Sequence, residues 1–167
     1  GKESLGTDVI KILDENGDEV APGEVGELYS RGPMLFDEYY KLPDKTKEAF
    51  QGEWFSAGDM ARKDADGFYQ IVDRKDNMII TGGENVYPSE IEEVVGSNAC
   101  VFDCAVIGIP DDKWGEKVVA VVIPKGNEEV EITEKMIQDC CREQMAGYKR
   151  PKEILFIKED EMPRTAT

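Results

Sequence analysis

Asp73 to Glu93 reads DRKDNMIITGGENVYPSEIEE, and the chain changes character across it. The stretch opens on Asp73, Arg74, Lys75 and Asp76, a knot of charge. A short apolar run, Met78 to Ile80, leads to the glycine pair Gly82-Gly83. Tyr87-Pro88-Ser89-Glu90 then opens a helix, Pro being suited to a first turn whose N–H needs no intrahelical partner. Upstream, short strands alternate with turn residues; downstream, strands and helices interleave. The fold class that follows is α+β, a β-rich segment and then a compact α+β domain with a small central sheet flanked by helices. The junction at Asp73 to Asp76 contains no Gly, Ser or Pro, so movement there would be that of a hinge rather than a tether.

Working upstream, residues 8–13 (DVIKIL) alternate apolar and polar, the mark of a half-buried strand. Asp14 to Asp18 is a turn, and Val25 to Arg31 is a second strand. Gly17 sits too early in that acidic turn for a calcium loop, and no helices flank it. A short helix is predicted over Asp44 to Phe50, after Pro43. Trp54 to Asp59 reads as an aromatic strand ending in a Gly-Asp turn. Met60 to Lys63 and Phe68 to Val72 flank Asp64-Ala65-Asp66-Gly67 as a hairpin.

Working downstream, Asn77 to Thr81 is a short strand and Pro88 to Val95 a helix. Val101 to Ile109 and Lys117 to Ile123 are strands rich in β-branched residues. Thr133 can cap a helix running to Met145, with Ile137, Cys140, Cys141 and Met145 on one face. Gly147 is placed to terminate it, and Glu153 to Lys158 makes a last strand.

Composition narrows the function. The 167 residues are 40% hydrophobic and 34% charged, ordinary for a soluble globular protein with a real core. A net charge of −16 argues against nucleic acid as a partner, because that binding neutralises phosphates with Lys and Arg. No apolar run approaches the roughly 20 residues of a transmembrane segment, and no signal peptide opens the chain. The absence of His excludes histidine triads and His-ligated zinc within it. Cys100 and Cys104, placed on one strand, would stand roughly 13 Å apart, too far to share a disulfide or a metal. Cys140 and Cys141 fall in the helical pattern. Small buried hydrophobes in a reducing cytoplasm is the ordinary reading of all four. The chain begins at Gly1 without an initiator Met, as expected of a piece of a longer protein.

Few positions can carry chemistry. Asp59 could accept hydrogen bonds from two neighbouring hydroxyls, as on a ribose, although Gly-Asp pairs are also common turn formers. Arg74 could contact a phosphate or sugar, or simply pair with Asp73 or Asp76. Gly82-Gly83 could admit a thin ligand, or make a strand-to-helix turn, with no G-x-G-x-x-G or Walker pattern to decide. Tyr148-Lys149-Arg150-Pro151-Lys152 is the local exception to the acidic field and could hold a nucleotide phosphate and stack a base. A solvated basic loop with Tyr148 packed beneath it fits the same residues. Trp114 is a second loop aromatic that could face it.

These segments together resemble the AMP-forming acyl-CoA synthetases and their adenylating relatives. The resemblance rests on an ordered set: GEVGELYSRGP at 23–33, YYKLPDKTKEAF at 39–50, WFSAGDMARKDADGFYQIVDRKDNMIITGGENVYPSEIE at 54–92, IPDDKWGEKVVAVVI at 109–123, YKRPKEILFI at 148–157 and MPRTAT at 162–167. It implies that residues 1–75 end a large N-terminal adenylating domain in a β-barrel-like subdomain. Residues 76–167 would be the mobile C-terminal domain. In such enzymes ATP and a carboxylic acid form an acyl-adenylate and release pyrophosphate. The C-terminal domain then swings, and the CoA thiol takes the acyl group.

By the same resemblance Asp59 is similar to the ribose-binding aspartate and Arg74 to the arginine that also contacts the nucleotide. Asp76 holds the hinge position. Gly82, Gly83 and Glu84 match the loop beside the pantetheine channel. Trp114 and Tyr148 would flank the CoA adenine, with Arg150 and Lys152 on its phosphates. Implied cofactors are ATP/AMP and CoA, with Mg held by parts of the family that lie before Gly1. The family's catalytic lysine lies just beyond Thr167, so the polypeptide by itself is expected to have no adenylation activity. An adenylation domain that feeds a carrier protein, or a non-catalytic nucleotide- or CoA-binding module, is the alternative. The Trp114 and Tyr148–Lys152 pairing favours free CoA, because carrier-bound pantetheine has no adenosine to hold.

Overall fold

The computed structural model describes residues 1–2, 9–126 and 132–164. Asp8 and the Thr165-Ala166-Thr167 motif therefore lie outside the described residues. The chain divides into two compact units, Gly1–Asp76 and Asn77–Thr167.

The first unit is a six-stranded antiparallel sheet. Strand β1 (Val9–Leu13) lies against β2 (Val25–Arg31) in the register Val9↔Arg31 to Leu13↔Glu27. Helix α1 (Pro43–Ala49) starts on Pro43, as Pro at a first turn allows, and Phe50 leaves it in extended conformation. Two short strands follow, β3 (Phe50–Gln51) and β4 (Trp54–Phe55). Their rings pack with Phe36: Phe36–Phe55 and Phe50–Phe55 centroids are 5.1 and 5.3 Å apart, within the aromatic pairing range. Strands β5 (Asp59–Lys63) and β6 (Tyr69–Arg74) form the hairpin around Asp64–Gly67, whose Asp64 Oδ1 accepts the N–H groups of Asp66 and Phe68. Ile12, Leu13, Tyr29, Met60 and Ala61 are its buried side chains.

The expected β-barrel-like subdomain is present as a curled sheet and not as a closed barrel. The sheet curls far enough for Gly1 and Tyr69 to exchange backbone hydrogen bonds of 2.7 and 2.6 Å. No strand ladder closes it among the described residues: the ladders run β3-β4-β2-β5-β6 with β1 on β2, and β1 and β6 approach without pairing.

The second unit is a five-stranded sheet under two helices. A long hairpin, β9 (Val101–Asp111) and β10 (Gly115–Pro124), is its centre. Strand β11 (Glu153–Phe156) joins β10 in parallel, and β7 (Ile79–Thr81) joins it through Gly115↔Thr81. Beside β7 lies β8 (Glu84–Val86), so Gly82-Gly83 turns one strand into another and not into a helix. Both glycines have positive φ, 62° and 86°, the pattern of a two-residue type I′ hairpin that L side chains resist.

Helix α2 (Pro88–Gly96) buries Ile91 and Val95, and α3 (Glu134–Gln144) buries Ile137 and Cys141; both pairs are spaced i, i+4. They meet Ile79, Val86, Val106, Val118, Val122 and Ile154 from the sheet in one core. Thr133 caps α3 by accepting the Met136 N–H at 3.4 Å. The expectation that Gly147 stops α3 does not hold: the helix ends at Gln144 and Met145 turns extended. Gly147 opens a separate 3₁₀ turn, Gly147–Lys149. Arg150 does the capping, donating from Nε to the Met145 carbonyl at 3.1 Å and from Nη2 to that of Arg142 at 3.3 Å. Burial pushes the Cys104 and Cys141 thiols up to about 11, which suits packing and not nucleophilic chemistry. Among the described residues no helix is long and apolar enough to cross a membrane.

Candidate functional site

Each unit carries one cluster of candidate residues. In the first, Asp59 begins β5 instead of ending the aromatic strand, which stops at Phe55. The turn between them is built on side chains: Ser56 Oγ accepts the Gly58 N–H at 3.0 Å. The β5–β6 register sets Asp59 opposite Arg74. Arg74 Nη1 donates to Asp59 Oδ1 at 3.1 Å, so its guanidinium is paired with Asp59. Arg74 also donates its backbone N–H to Asp73 Oδ1 at 2.7 Å.

The pair is available to a ligand. Its side chains are 51% and 30% exposed, and an ion pair so open to water contributes only about 0–1 kcal/mol. Breaking it to receive a ribose or phosphate therefore costs little. A carboxylate and a guanidinium about 3 Å apart at one edge can bind a sugar diol and the phosphate attached to it.

Asp76 is the central residue of a 3₁₀ turn, Lys75–Asn77, and the last residue of the first unit. In the second unit the Gly82-Gly83 turn meets the β9–β10 turn. Gly82 donates its N–H to the Trp114 carbonyl at 2.8 Å. A Cβ on Gly82 would stand 3.2 Å from Trp114 Cε3, so the indole lies directly on the glycine. Asp111 Oδ1 shapes this turn by accepting the N–H groups of Lys113 and Trp114 at 2.9 and 3.0 Å. Glu116 pins the neighbouring strand by accepting the Ile80 N–H at 2.8 Å.

Trp114 is 37% exposed and carries two ammonium groups, Lys113 at 4.7 Å and Lys152 at 5.2 Å from its ring centroid. Trp114, Lys152 and Gly82 are thus brought together; Tyr148 and Arg150 stand apart from them in their contacts. Tyr148 is 41% exposed with Lys149 near its ring, and among the described residues it makes no ring contact with Trp114. Lys149 is anchored to Glu90 at the start of α2. Arg150 faces the end of α3. Glu84, in β8, is exposed. Among the described residues no three His, Cys, Asp or Glu side chains gather to hold a metal ion.

Sequence reasoning missed Lys113, which no pattern distinguished from other surface lysines. It also missed Glu27, whose partners Ser56 and Lys75 lie 29 and 48 residues away. The capping role of Arg150 had a readable signal, a cation shortly after a helical run.

The chain is similar to known proteins over most of its length. Residues 90–167 match the AMP-binding enzyme C-terminal domain. The chain is 42% identical over 161 residues to a medium/long-chain-fatty-acid–CoA ligase of Mycobacterium tuberculosis, covering 93% of this chain and 28% of that protein. It is 40% identical over 167 residues to a feruloyl-CoA synthase of Amycolatopsis, covering all of this chain and 33% of that protein. The crystal structure of ATP-bound MatB from Rhodopseudomonas palustris superposes with a TM-score of 0.85 at 34% identity, over 98% of this chain and 32% of that one. The chain therefore spans about a third or less of the length of these relatives. By these matches residues 90–167 belong to the AMP-binding enzyme C-terminal domain family, and nearly the whole chain is similar to the C-terminal third of acid–CoA ligases.

Proposed function

We propose that this chain is the C-terminal part of an acid–CoA ligase. The enzyme joins a carboxylic acid to AMP with loss of pyrophosphate, then passes the acyl group to the CoA thiol with loss of AMP. Residues 1–75 would complete the adenylating domain and 76–167 the mobile domain, with rotation at Asp76. Mg would be bound outside this chain, and the enzyme would act in the cytoplasm. The observation that carries the reading is the Asp59–Arg74 pair, a weakly held, exposed ion pair suited to a nucleotide's ribose and phosphate.

In the second unit Trp114 offers the exposed ring face for the CoA adenine, beside the Gly82–Glu84 turn proposed to line the pantetheine channel. Lys152 is the first choice for the CoA phosphates. Arg150 is the second, because its Nε and Nη2 already donate to α3 carbonyls. Tyr148 would close the other side of the adenine.

The test is acid-dependent ATP–pyrophosphate exchange and CoA thioester formation by the full-length protein, screened over fatty and aromatic acids. Exchange with no thioester would point to a carrier protein as acceptor; neither activity would remove the proposal. In an active enzyme, Trp114→Ala and Lys152→Ala are each expected to weaken CoA binding by about three- to tenfold, as for loss of one stacking or cation contact. Titration calorimetry with CoA checks this, and unchanged affinity in both variants would take the adenosine off this surface.

A further inference from the structure

Glu27, in the middle of β2, is the meeting point of side chains from two other segments. Lys75 Nζ donates to its Oε2 at 2.7 Å, and Ser56 Oγ donates to its Oε1 at 2.6 Å. Tyr29, two residues along the same strand, has its phenol raised by burial and by the carboxylate's charge, and its hydroxyl accepts from Gln51 Nε2 at 3.1 Å. The links continue through the backbone. Ser56 Oγ accepts the Gly58 N–H, and the Gly58 carbonyl accepts the Lys75 N–H at 2.7 Å. Ser56 is 8% exposed and the Glu27 side chain 16%, so water competes little for the bond between them, while Lys75, 54% exposed, reaches the carboxylate from the solvent side.

The consequence lies in what these segments carry. Ser56 to Gly58 leads directly into Asp59, and Lys75 directly follows Arg74. One carboxylate on a third strand therefore ties down both segments that bear the proposed nucleotide ligands. It also ties the residue immediately before Asp76. Burial pushes the Glu27 carboxyl up, but hydrogen bonds from Lys75 and Ser56 and the Lys75 charge outweigh it and leave it below its ordinary value. The hydrogen bond to Glu27 raises Lys75 in return, so the ion pair is intact at neutral pH.

We propose, resting on the ligase reading above, that Glu27 and Lys75 are positioning residues of the nucleotide site. They hold Asp59 and Arg74 at one spacing and anchor the chain through Lys75, so that the swing begins at Asp76.

The test uses full-length enzyme with Glu27→Gln, Lys75→Met, the double variant and Lys75→Arg. Glu27→Gln keeps the shape and can still accept from Ser56, but it loses the charge that holds Lys75. In ATP–pyrophosphate exchange, KM for ATP is expected to rise about five- to tenfold in each deletion variant with kcat within about twofold, the size of one charge-assisted hydrogen bond acting through a neighbour. The double variant should be no worse than the weaker single, because the second change removes nothing further. Lys75→Arg should restore most of the loss. Amide hydrogen exchange over residues 56–59 and 72–76 should quicken in both single variants. A wild-type KM in folded Glu27→Gln, or additive losses in the double variant, would overturn the proposal. Wild-type protein without acid-dependent exchange would instead sink the ligase reading. Hydrogen exchange would then decide the anchoring alone, and unchanged rates over both segments would overturn it.

Discussion

Asp59→Ala in the full-length enzyme is expected to lower kcat/KM for ATP about 10²-fold in pyrophosphate exchange, the loss of about 2.7 kcal/mol of nucleotide binding. A carboxylate that accepts both ribose hydroxyls makes two charge-assisted hydrogen bonds, each contributing about 1.5–3 kcal/mol. The lower end applies, because Asp59 is 30% exposed and its site admits water. Stability should change little. The Arg74 left behind is half exposed, so its charge stays solvated, and such surface changes stay within about 0.5 kcal/mol. A melting temperature near wild type with the ATP defect identifies a binding residue. Undiminished exchange at an unchanged KM would assign Asp59 to turn geometry alone. Asp59→Asn should fall between the two, since its amide oxygen still accepts one hydroxyl.

Asp76→Pro should separate the half-reactions. Asp76 sits in a 3₁₀ turn, where φ lies close to the value that proline imposes. The φ of such a turn therefore suits the ring, whereas a swing that needs another φ at this position is opposed by it. Thioester formation from preformed acyl-adenylate is expected to fall about 10²-fold, with pyrophosphate exchange within about threefold of wild type. Proline also presses on the preceding residue, so Asp76→Ala is the control. It leaves φ free and should retain both half-reactions. Single-turnover assays of each step check the split. Equal loss of both in Asp76→Pro would make Asp76 a structural residue and place the pivot elsewhere.

Much of the architecture was legible without coordinates because its signals are local. Alternation in 8–13 and 25–31, the Asp64–Gly67 turn, Pro43 and Pro88 at helix starts and Thr133 as a cap each act within a few residues. The misreadings were also local. For Gly82-Gly83 the sequence offers close ligand approach or a strand-to-helix turn but not a hairpin, because β8 is only three residues long, too short to show alternation. Gly147 resembled a helix stop, but Arg150 reached back to the α3 carbonyls from beyond it.

By itself, then, the sequence determined the three α-helices and the longer strands, though not the short β3 and β8, and that the chain changes character at Asp73 to Asp76, and it carried the motifs that resemble adenylating enzymes. Only the tertiary structure decided which of the candidate side chains meet. Asp59 and Arg74 are fifteen residues apart and become partners through the β5–β6 register. Gly82 and Trp114 meet where two hairpin turns lie side by side, and Lys152 reaches the same ring from the start of the last strand. Glu27 and Lys75, forty-eight residues apart, meet because β2 and the end of β6 share β5 as a neighbour. The physical reason is one of range. Propensity, capping and turn chemistry are set by adjacent residues, whereas a charge's partner is set by strand register, which distant packing selects.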